Sequence, residues 1–438
     1  MRRAAQRIVE RLRANGYEAF FAGGWVRDLL LHRKPKDIDI ATSALPEDVL
    51  RLFPGVTAVG AKFGVVQVRV YGRSYEVATF RSEGPYLDGR HPSSVSFAEP
   101  QQDALRRDFT VNGLFYDPVA GRVIDYVHGR ADLRRKIVRT IGDPEARFSE
   151  DYLRMLRAVR FACWLGFEIE PATWKAVRQY APDILRVSWE RIRDELLQIL
   201  TGPSRAHGLD LLHDSGLLAH LLPEVEAMRG IEQPAEFHPE GDVFTHTRLT
   251  LSLLRKPSAV LAMGALLHDV GKPPTFNLKD RIRFDNHVEV GARIAADVCR
   301  RLRMSNEEIE HVVDLVSHHL RFMHVHEMRE STLLRFLRKP NFADHLELHR
   351  ADCLSSHRDL SGYRFCKQKL AEIKRELPSL PRLITGQDLI DMGYQPGPVF
   401  RSILQAVEDL QLERVLRSRD EALDHVRRTF PLTRKPEA

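Results

Sequence analysis

Apolar and polar positions alternate in short runs through the first third of the chain, then settle into a helical spacing that lasts almost to its end. Met1 to Arg13 places Ala5, Ile8, Val9 and Leu12 on one face before Asn15-Gly16, which predicts a first helix. Tyr17 to Ala22 reads as a strand, Val26 to Leu31 as a short helix following Gly23-Gly24, and Lys36 to Ala41 as a second strand. Val65 to Val70 alternates, Gly72-Arg73 turns, and Tyr75 to Phe80 returns, the pattern of a hairpin. Arg81 to Pro100 carries glycines, prolines and serines with little periodicity and predicts a mobile loop. Beyond Asp143-Pro144 the spacing of Leu153, Leu156, Val159 and Arg160 is helical, as it is in Arg191 to Leu200 and Leu209 to Leu222. Neither an internal repeat nor a low-complexity tract interrupts the pattern. Soft boundaries fall near Ile141, near Pro223 to Glu240 and near Leu377 to Arg382, where prolines cluster.

Composition narrows the class. A chain of 438 residues divides into about three units at roughly 150 residues each. Hydrophobic residues at 43% and charged residues at 29% suit a soluble globular protein, and no apolar run approaches a membrane span. Cys163, Cys299, Cys353 and Cys366 show no CxxC spacing and fit a reducing cytoplasm with buried thiols. The basic start lacks an apolar core and contains Glu10, so it is expected to be a helix rather than a targeting peptide. A net charge of +6 permits a polyanionic partner without requiring one. More telling is the crowding of Arg106, Arg107, Arg130, Arg134, Arg135, Arg147, Arg154, Arg157 and Arg160 into one segment, which favours a nucleotide and RNA track over scattered solvated faces.

Chemistry enters with Asp37 and Asp39, separated by one apolar residue. On a strand, a period of two points both carboxylates to one face, as hard cations such as Mg²⁺ require. Upstream, the Gly23-Gly24 turn opens a helix whose first amides and Arg27 suit triphosphate oxygens. Either feature alone is common by chance. Their succession resembles the nucleotidyltransferase superfamily that includes DNA polymerase β, and in particular the class II (bacterial-type) tRNA nucleotidyltransferases and their poly(A) polymerase relatives. Arg106-Arg107-Asp108-Phe109-Thr110-Val111-Asn112 matches the RRDFTxN signature of that family, with Gly113 where relatives usually carry alanine. Paired guanidiniums suit a leaving polyphosphate, and Thr110 and Asn112 offer hydrogen bonds to a sugar or to loop backbone. Glu76, on the returning hairpin strand, is the candidate third carboxylate. Glu150-Asp151-Tyr152-Leu153-Arg154 with Arg157, Arg160 and Phe161 forms the family's EDxLRxxRxxRF pattern. The resemblance implies that Asp151 and Arg154, three apart on a helix, imitate a pairing base and select C or A, while Arg157 and Arg160 continue toward phosphates.

A second set of chemical residues follows: His246, then His268-Asp269 in an HDxGK string, then Asp352, imidazoles and carboxylates suited to a divalent metal. Their order resembles the HD metal-dependent phosphohydrolases. His287 and the pair His318-His319 are further candidates, for substrate contacts or a second metal. Leu383 to Arg428 resembles the helical, tRNA-holding tail of the same family.

The resemblance implies an α/β, polymerase β-like nucleotidyltransferase head (1–140), then an all-α neck (141–225), HD body (226–375) and tail (376–438). It implies addition of CCA to tRNA from CTP and ATP, Mg²⁺ at Asp37 and Asp39 with Glu76 as an assisting catalytic carboxylate, and another divalent metal at the HD residues. Nucleotide contacts are expected from Gly23, Gly24, Arg27, Arg106, Asp151, Arg154, Arg157 and Arg160. The rivals are a poly(A) polymerase, an A-adding enzyme, an HD hydrolase alone, and a tRNA-binding scaffold. CC-only addition is disfavoured because the loop with Asp88-Gly89-Arg90-His91-Pro92 is present, and Gly60 to Val66 favours the tRNA enzymes. A cytoplasmic enzyme without membrane contact is expected, and the oligomeric state is left open.

Overall fold

The alternating stretches up to Asp125 form one mixed, six-stranded sheet in the computed structural model, which describes residues 1–35, 37–54, 64–84, 95–278, 280–376, 382–413 and 415–431. Its strands are β1 (Ala19–Ala22), β2 (Asp39–Thr42), β3 (Val65–Val70), β4 (Arg73–Thr79), β7 (Leu114–Asp117) and β8 (Arg122–Asp125), in the order β3-β4-β2-β1-β7-β8. Only β2 and β4 run parallel, with Ile40 beside Val77. The hairpin turns at Tyr71-Gly72 rather than at Gly72-Arg73, because Arg73 already pairs with Val70. Both turn residues are left-handed, φ 50° and 72°, the conformation whose twist fits a two-residue hairpin.

The stretch expected to be a mobile loop carries structure at both ends: β5 (Arg81–Glu83) pairs antiparallel with β6 (Val95–Phe97), and a short helix begins at Pro100. Asp88 to Pro92 and Gly60 to Phe63, used above to choose among relatives, lie outside the described residues. The amphipathic helix Arg2–Ala14 lays Ala4, Ala5, Ile8, Val9 and Leu12 on the sheet. On the other face Phe20, Phe80 and Phe115 meet with centroids about 6 Å apart: 6.0, 6.1 and 5.9 Å.

Past Pro144 the described residues are helical apart from Glu168–Ile169, which pairs back with Ile137–Val138, and a small hairpin, Phe276–Leu278 with Ile282–Phe284. The expected helix 209–222 is broken at Ser215-Gly216, where Gly216 is left-handed, φ 80°. One apolar core runs unbroken from the first helix through Leu156, Leu196 and Leu266 to Ala351, so the sheet and the helices that follow it share their packing. Each of these fully buried leucines contributes about 1.5 to 3 kcal/mol. Two satellite cores follow, one around Phe322, Phe336 and Phe342, the other around Leu389, Ile403 and Val426. The tail's helix Pro398–Leu412 reaches back to helix Glu330–Leu337 through Arg335 and Asp409, 3.1 Å apart. All four cysteines are buried free thiols. Among the described residues no helix is long and apolar enough to cross a membrane.

Candidate active sites

Asp39 opens β2, and Glu76 lies on the neighbouring parallel strand, level with it in register. On β4, Tyr75 and Val77 are buried while Glu76 is open, so Glu76 faces the same solvent side as Asp39. Asp37 precedes the strand rather than belonging to it, because pairing with β1 ends at Asp39 opposite Ala22. The expected alternation persists all the same: Asp37 and Asp39 are exposed, Ile38 between them is buried, and all three carboxylates line one depression. Desolvation of the carboxylate by the groups crowded around it and the adjacent Glu76 raise the Asp39 pKa to about 6, with Asp37 adding to the rise and Arg107 opposing it. Three mutually repelling carboxylates are the donor set that hard divalent cations relieve.

Beside them a cavity of about 440 Å³ brings together Gly23, Asp39, Glu76, Arg106, Arg107, Asp151, Arg154 and Arg157. Gly24, Arg27 and Arg160 line an adjoining depression that shares Asp37, Asp39 and Phe161 with this region. Gly23 is left-handed, φ 63°, and a Cβ there would stand 3.1 Å from an Arg107 nitrogen. The Phe161 ring has three guanidiniums around it, Arg160 at 4.3 Å and Arg27 and Arg157 each at 5.4 Å.

The arginines are held by carboxylates. Buried Asp103 takes Arg106 at 2.7 Å and Arg107 at 2.9 Å, and those guanidiniums overcome the cost of its burial and lower its pKa. Arg157 donates to Asp108 at 2.7 and 2.9 Å and to Glu195 at 3.2 Å; Arg160 donates to Glu195 at 2.5 Å. Arg27 donates to the Asn112 side-chain oxygen at 2.7 Å, and Asn112 in turn donates to Asp108 at 3.1 Å. Thr110, expected to face a sugar or loop, is buried and donates to Asp132 at 2.7 Å. Gly113 is filled from outside: a Cβ there would stand 2.7 Å from a Val127 methyl, so that valine occupies the space of the usual alanine.

Asp151 and Arg154 do not share a helix. Asp151 is extended, φ −154°, between the helices Pro144–Glu150 and Leu153–Leu165, and its side chain accepts from the Leu153 amide that opens the second. Its carboxylate is set by Arg191 at 2.7 Å, while Arg154 donates to Glu150 at 2.5 Å. Both nevertheless line the same cavity.

In the helical body, His246 lies on Val243–Leu253, which Asp242 caps by accepting from Thr245 at 2.8 Å. His268 and Asp269 follow helix Ala259–Leu267, and Asp352 lies on Phe342–Ser355. Four imidazoles are pinned from behind through Nδ1: His246 donates to Glu240 at 2.6 Å, and His268, His287 and His319 donate to the carbonyls of Ala265, Phe284 and Val316 at 2.8, 2.9 and 2.7 Å. Each Nε2 then faces a common centre. Those of His246 and His268 lie 3.2 Å apart, with Asp352 3.0 Å from His246. Those of His287 and His319, although buried, have no hydrogen-bond partner among the described residues and stand 3.8 and 3.7 Å from Asp269. Asp269 lies between the two groups, with one oxygen 3.3 Å from His268 and the other toward His287 and His319. Fixed tautomers with orphaned Nε2 atoms around carboxylates are a fitting donor set for divalent metal. Burial opposes ionisation of Asp269, but Lys272 at 2.7 Å and His268 hold its pKa well below the usual range. Burial pushes His319 down to about 4. The adjacent pair separates: His319 enters the centre, whereas His318 turns to Asp314 at 3.1 Å.

Four contributors escaped the sequence reading, Asp103, Glu195, Arg191 and Glu240, while Glu150 and Lys272 stand within its EDxLRxxRxxRF and HDxGK motifs without a role. Asp103 precedes Arg106 and Arg107 by three and four residues, the helical ion-pair spacing that would have found it.

Residues 19–139 match the family model for the poly A polymerase head domain, residues 166–229 that for a probable RNA and SrmB-binding site of polymerase A, and residues 243–348 the HD domain. A CCA-adding enzyme of Geobacillus stearothermophilus is 49% identical over 215 residues, which cover 49% of this chain and 53% of that protein. The chain thus spans about half the length of such curated relatives. A CCA-adding enzyme of Bacillus licheniformis is 32% identical over 425 residues, 95% of either chain. Among solved structures, a Bacillus stearothermophilus CCA-adding enzyme in complex with CTP superposes with a TM-score of 0.73 at 29% identity, covering 98% of both chains. The chain belongs to the bacterial-type, class II CCA-adding enzyme family, with an HD domain in its helical body.

Proposed function

We propose that this chain builds or repairs the 3′-terminal CCA of tRNA from CTP and ATP, without a nucleic-acid template. In this reading residues 1–140 form the transferase head, 141–225 the neck, 226–375 the HD body and 376–438 a tRNA-holding tail. The observation that carries it is the convergence of Asp39, Glu76, Gly23, Arg106, Arg107, Asp151 and Arg154 on one cavity. Asp37, Asp39 and Glu76 would hold Mg²⁺, which when bound supplies charge to bring the hydroxyl and triphosphate together. Arg106 and Arg107, aimed by Asp103, meet the negative charge of the departing pyrophosphate. The bond from the tRNA 3′ oxygen to the α-phosphorus forms as the α–β anhydride bond breaks. Asp151 and Arg154 face the base, one accepting and the other donating; the grip of Arg191 and Glu150 fixes their orientation and sharpens discrimination. The test offers labelled CTP and ATP, separately and together, to tRNA lacking its last three nucleotides. Sequential addition of two C and one A is expected; addition of A alone or of a long A tail would replace this reading by one of its rivals.

The pinned imidazoles favour a second activity. His246, His268, Asp269 and Asp352 would hold a divalent metal, and His287 and His319, sharing Asp269, a second. Metal there supplies Lewis acidity for phosphate-ester hydrolysis, and Lys272 lies in the cavity where a phosphate would sit. Metal content of the purified chain, with release of phosphate from 2′,3′-cyclic nucleotides, tests it.

A further inference from the structure

We propose that the head has a second, separate grip on RNA: a groove leading away from the carboxylates along β4 and the first helix, in which Arg3, Arg7 and Arg73 hold phosphates of the strand that ends in the reacting 3′ hydroxyl. The inference rests on the nucleotide-addition reading above.

Asp39 and Glu76 form a divide. On one side lies the arginine-lined cavity already described; on the other is a depression of about 470 Å³ lined by Asp37, Gln67, Arg73, Ser74 and Tyr75. It adjoins, sharing Met1, Arg73 and Tyr75 as lining, a further depression of about 550 Å³ reaching Arg3, Arg7 and Tyr71. In-line displacement sets the attacking oxygen and the leaving pyrophosphate on opposite sides of the phosphorus. With polyphosphate on the Arg106 side, the strand bearing the hydroxyl arrives from the Arg73 side.

The charge pattern fits. Arg106, Arg107 and Arg157 are neutralised by Asp103, Asp108 and Glu195, whereas Arg3, Arg7 and Arg73 make no ion pair among the described residues. Glu10, the acidic residue lining the outer depression, is engaged with the Gln6 amide at 2.9 Å. Tyr71 sits at the hairpin tip, 68% exposed, with the Arg7 guanidinium 5.2 Å from its ring centre. An exposed ring beside unpaired guanidiniums is the arrangement on which single-stranded bases stack while phosphates are neutralised. The Tyr75 hydroxyl, donating to the Met1 carbonyl at 3.1 Å, fastens the helix to the strand and fixes the groove's two walls together.

The test uses the full chain with Arg3→Glu, Arg7→Glu and Arg73→Glu, singly and combined, and tRNA lacking its terminal CCA. The combined variant should raise the KM for tRNA about ten-fold or more and lower the slope of log affinity against log salt by about three, roughly one per lost phosphate contact. The KM for CTP should stay within about two-fold, since the nucleotide lies across the divide. Tyr71→Ala should weaken tRNA binding less, by a few-fold. An unchanged KM for tRNA with an unchanged salt slope would overturn the groove, and the single variants decide if the combined one does not fold. A wild-type chain that binds tRNA but adds no nucleotide would instead defeat the reading of the head; direct tRNA binding by the variants then judges the groove separately.

Discussion

In the head, Asp37, Asp39 and Glu76 lie open to solvent, and the arginines facing them are already balanced by Asp103, Asp108 and Glu195. In the helical body the reverse holds: His246, His268, Asp269 and His319 are buried, each imidazole braced by one nitrogen and left unsatisfied or crowded at the other. The first arrangement suits a large charged ligand that comes and goes, because nothing in it needs the ligand to stay folded. The second suits ions that remain, since emptying it leaves buried polar atoms without partners.

Five substitutions probe that contrast, in falling order of expected effect. Asp39→Ala should cut CMP and AMP incorporation by roughly a thousand-fold, several kcal/mol of lost charge stabilisation, while tRNA affinity measured by filter binding stays within a few-fold. Near-normal incorporation would remove Asp39 from the chemistry. Gly271→Ala should break the buried centre without touching the head, because the new Cβ would meet the His287 carbonyl at 2.0 Å, where backbone rather than a pliable side chain stands in the way. A loss of about 1 to 3 kcal/mol in urea unfolding, together with lost metal, is expected; unaltered metal content would show the packing to be looser than described. Arg154→Ala or Asp151→Ala should lower discrimination of CTP and ATP against GTP and UTP by about 1 to 3 kcal/mol, more than it lowers triphosphate affinity. A uniform slowing with intact selectivity would reduce both residues to braces for Arg191 and Glu150. Asp103→Asn keeps the shape but removes the charge between Arg106 and Arg107, and should cost about 1 kcal/mol of stability while weakening CTP binding through misaimed guanidiniums. An unchanged KM for CTP would show that Asp103 is only packing.

Much of this was legible in the chain because it depends on local periodicity. The alternation of Asp37, Ile38 and Asp39, the buried face of the first helix and the hairpin all follow from spacings of two or of three and four. What failed did so for nameable reasons. Asp151 looks helical by spacing, but a short carboxylate at such a position bonds the backbone as readily as it joins a helix, and here it caps Leu153. Glu195 is 38 and 35 residues from the arginines it neutralises, a partnership that only the packing of two helices creates. His318 and His319 read as a pair, yet adjacent positions on a helical turn diverge by about 100°, so only one enters the centre.

The central claim is that one chain carries two independent centres, and crossed variants test it most directly. Asp39→Ala and His268→Ala, each confirmed folded, are assayed for nucleotide addition to tRNA lacking CCA and for metal-dependent release of phosphate from 2′,3′-cyclic nucleotides. The account predicts opposite losses: Asp39→Ala without addition but with hydrolysis, His268→Ala with addition within a few-fold of wild type but without hydrolysis. Loss of both reactions in either folded variant would contradict it.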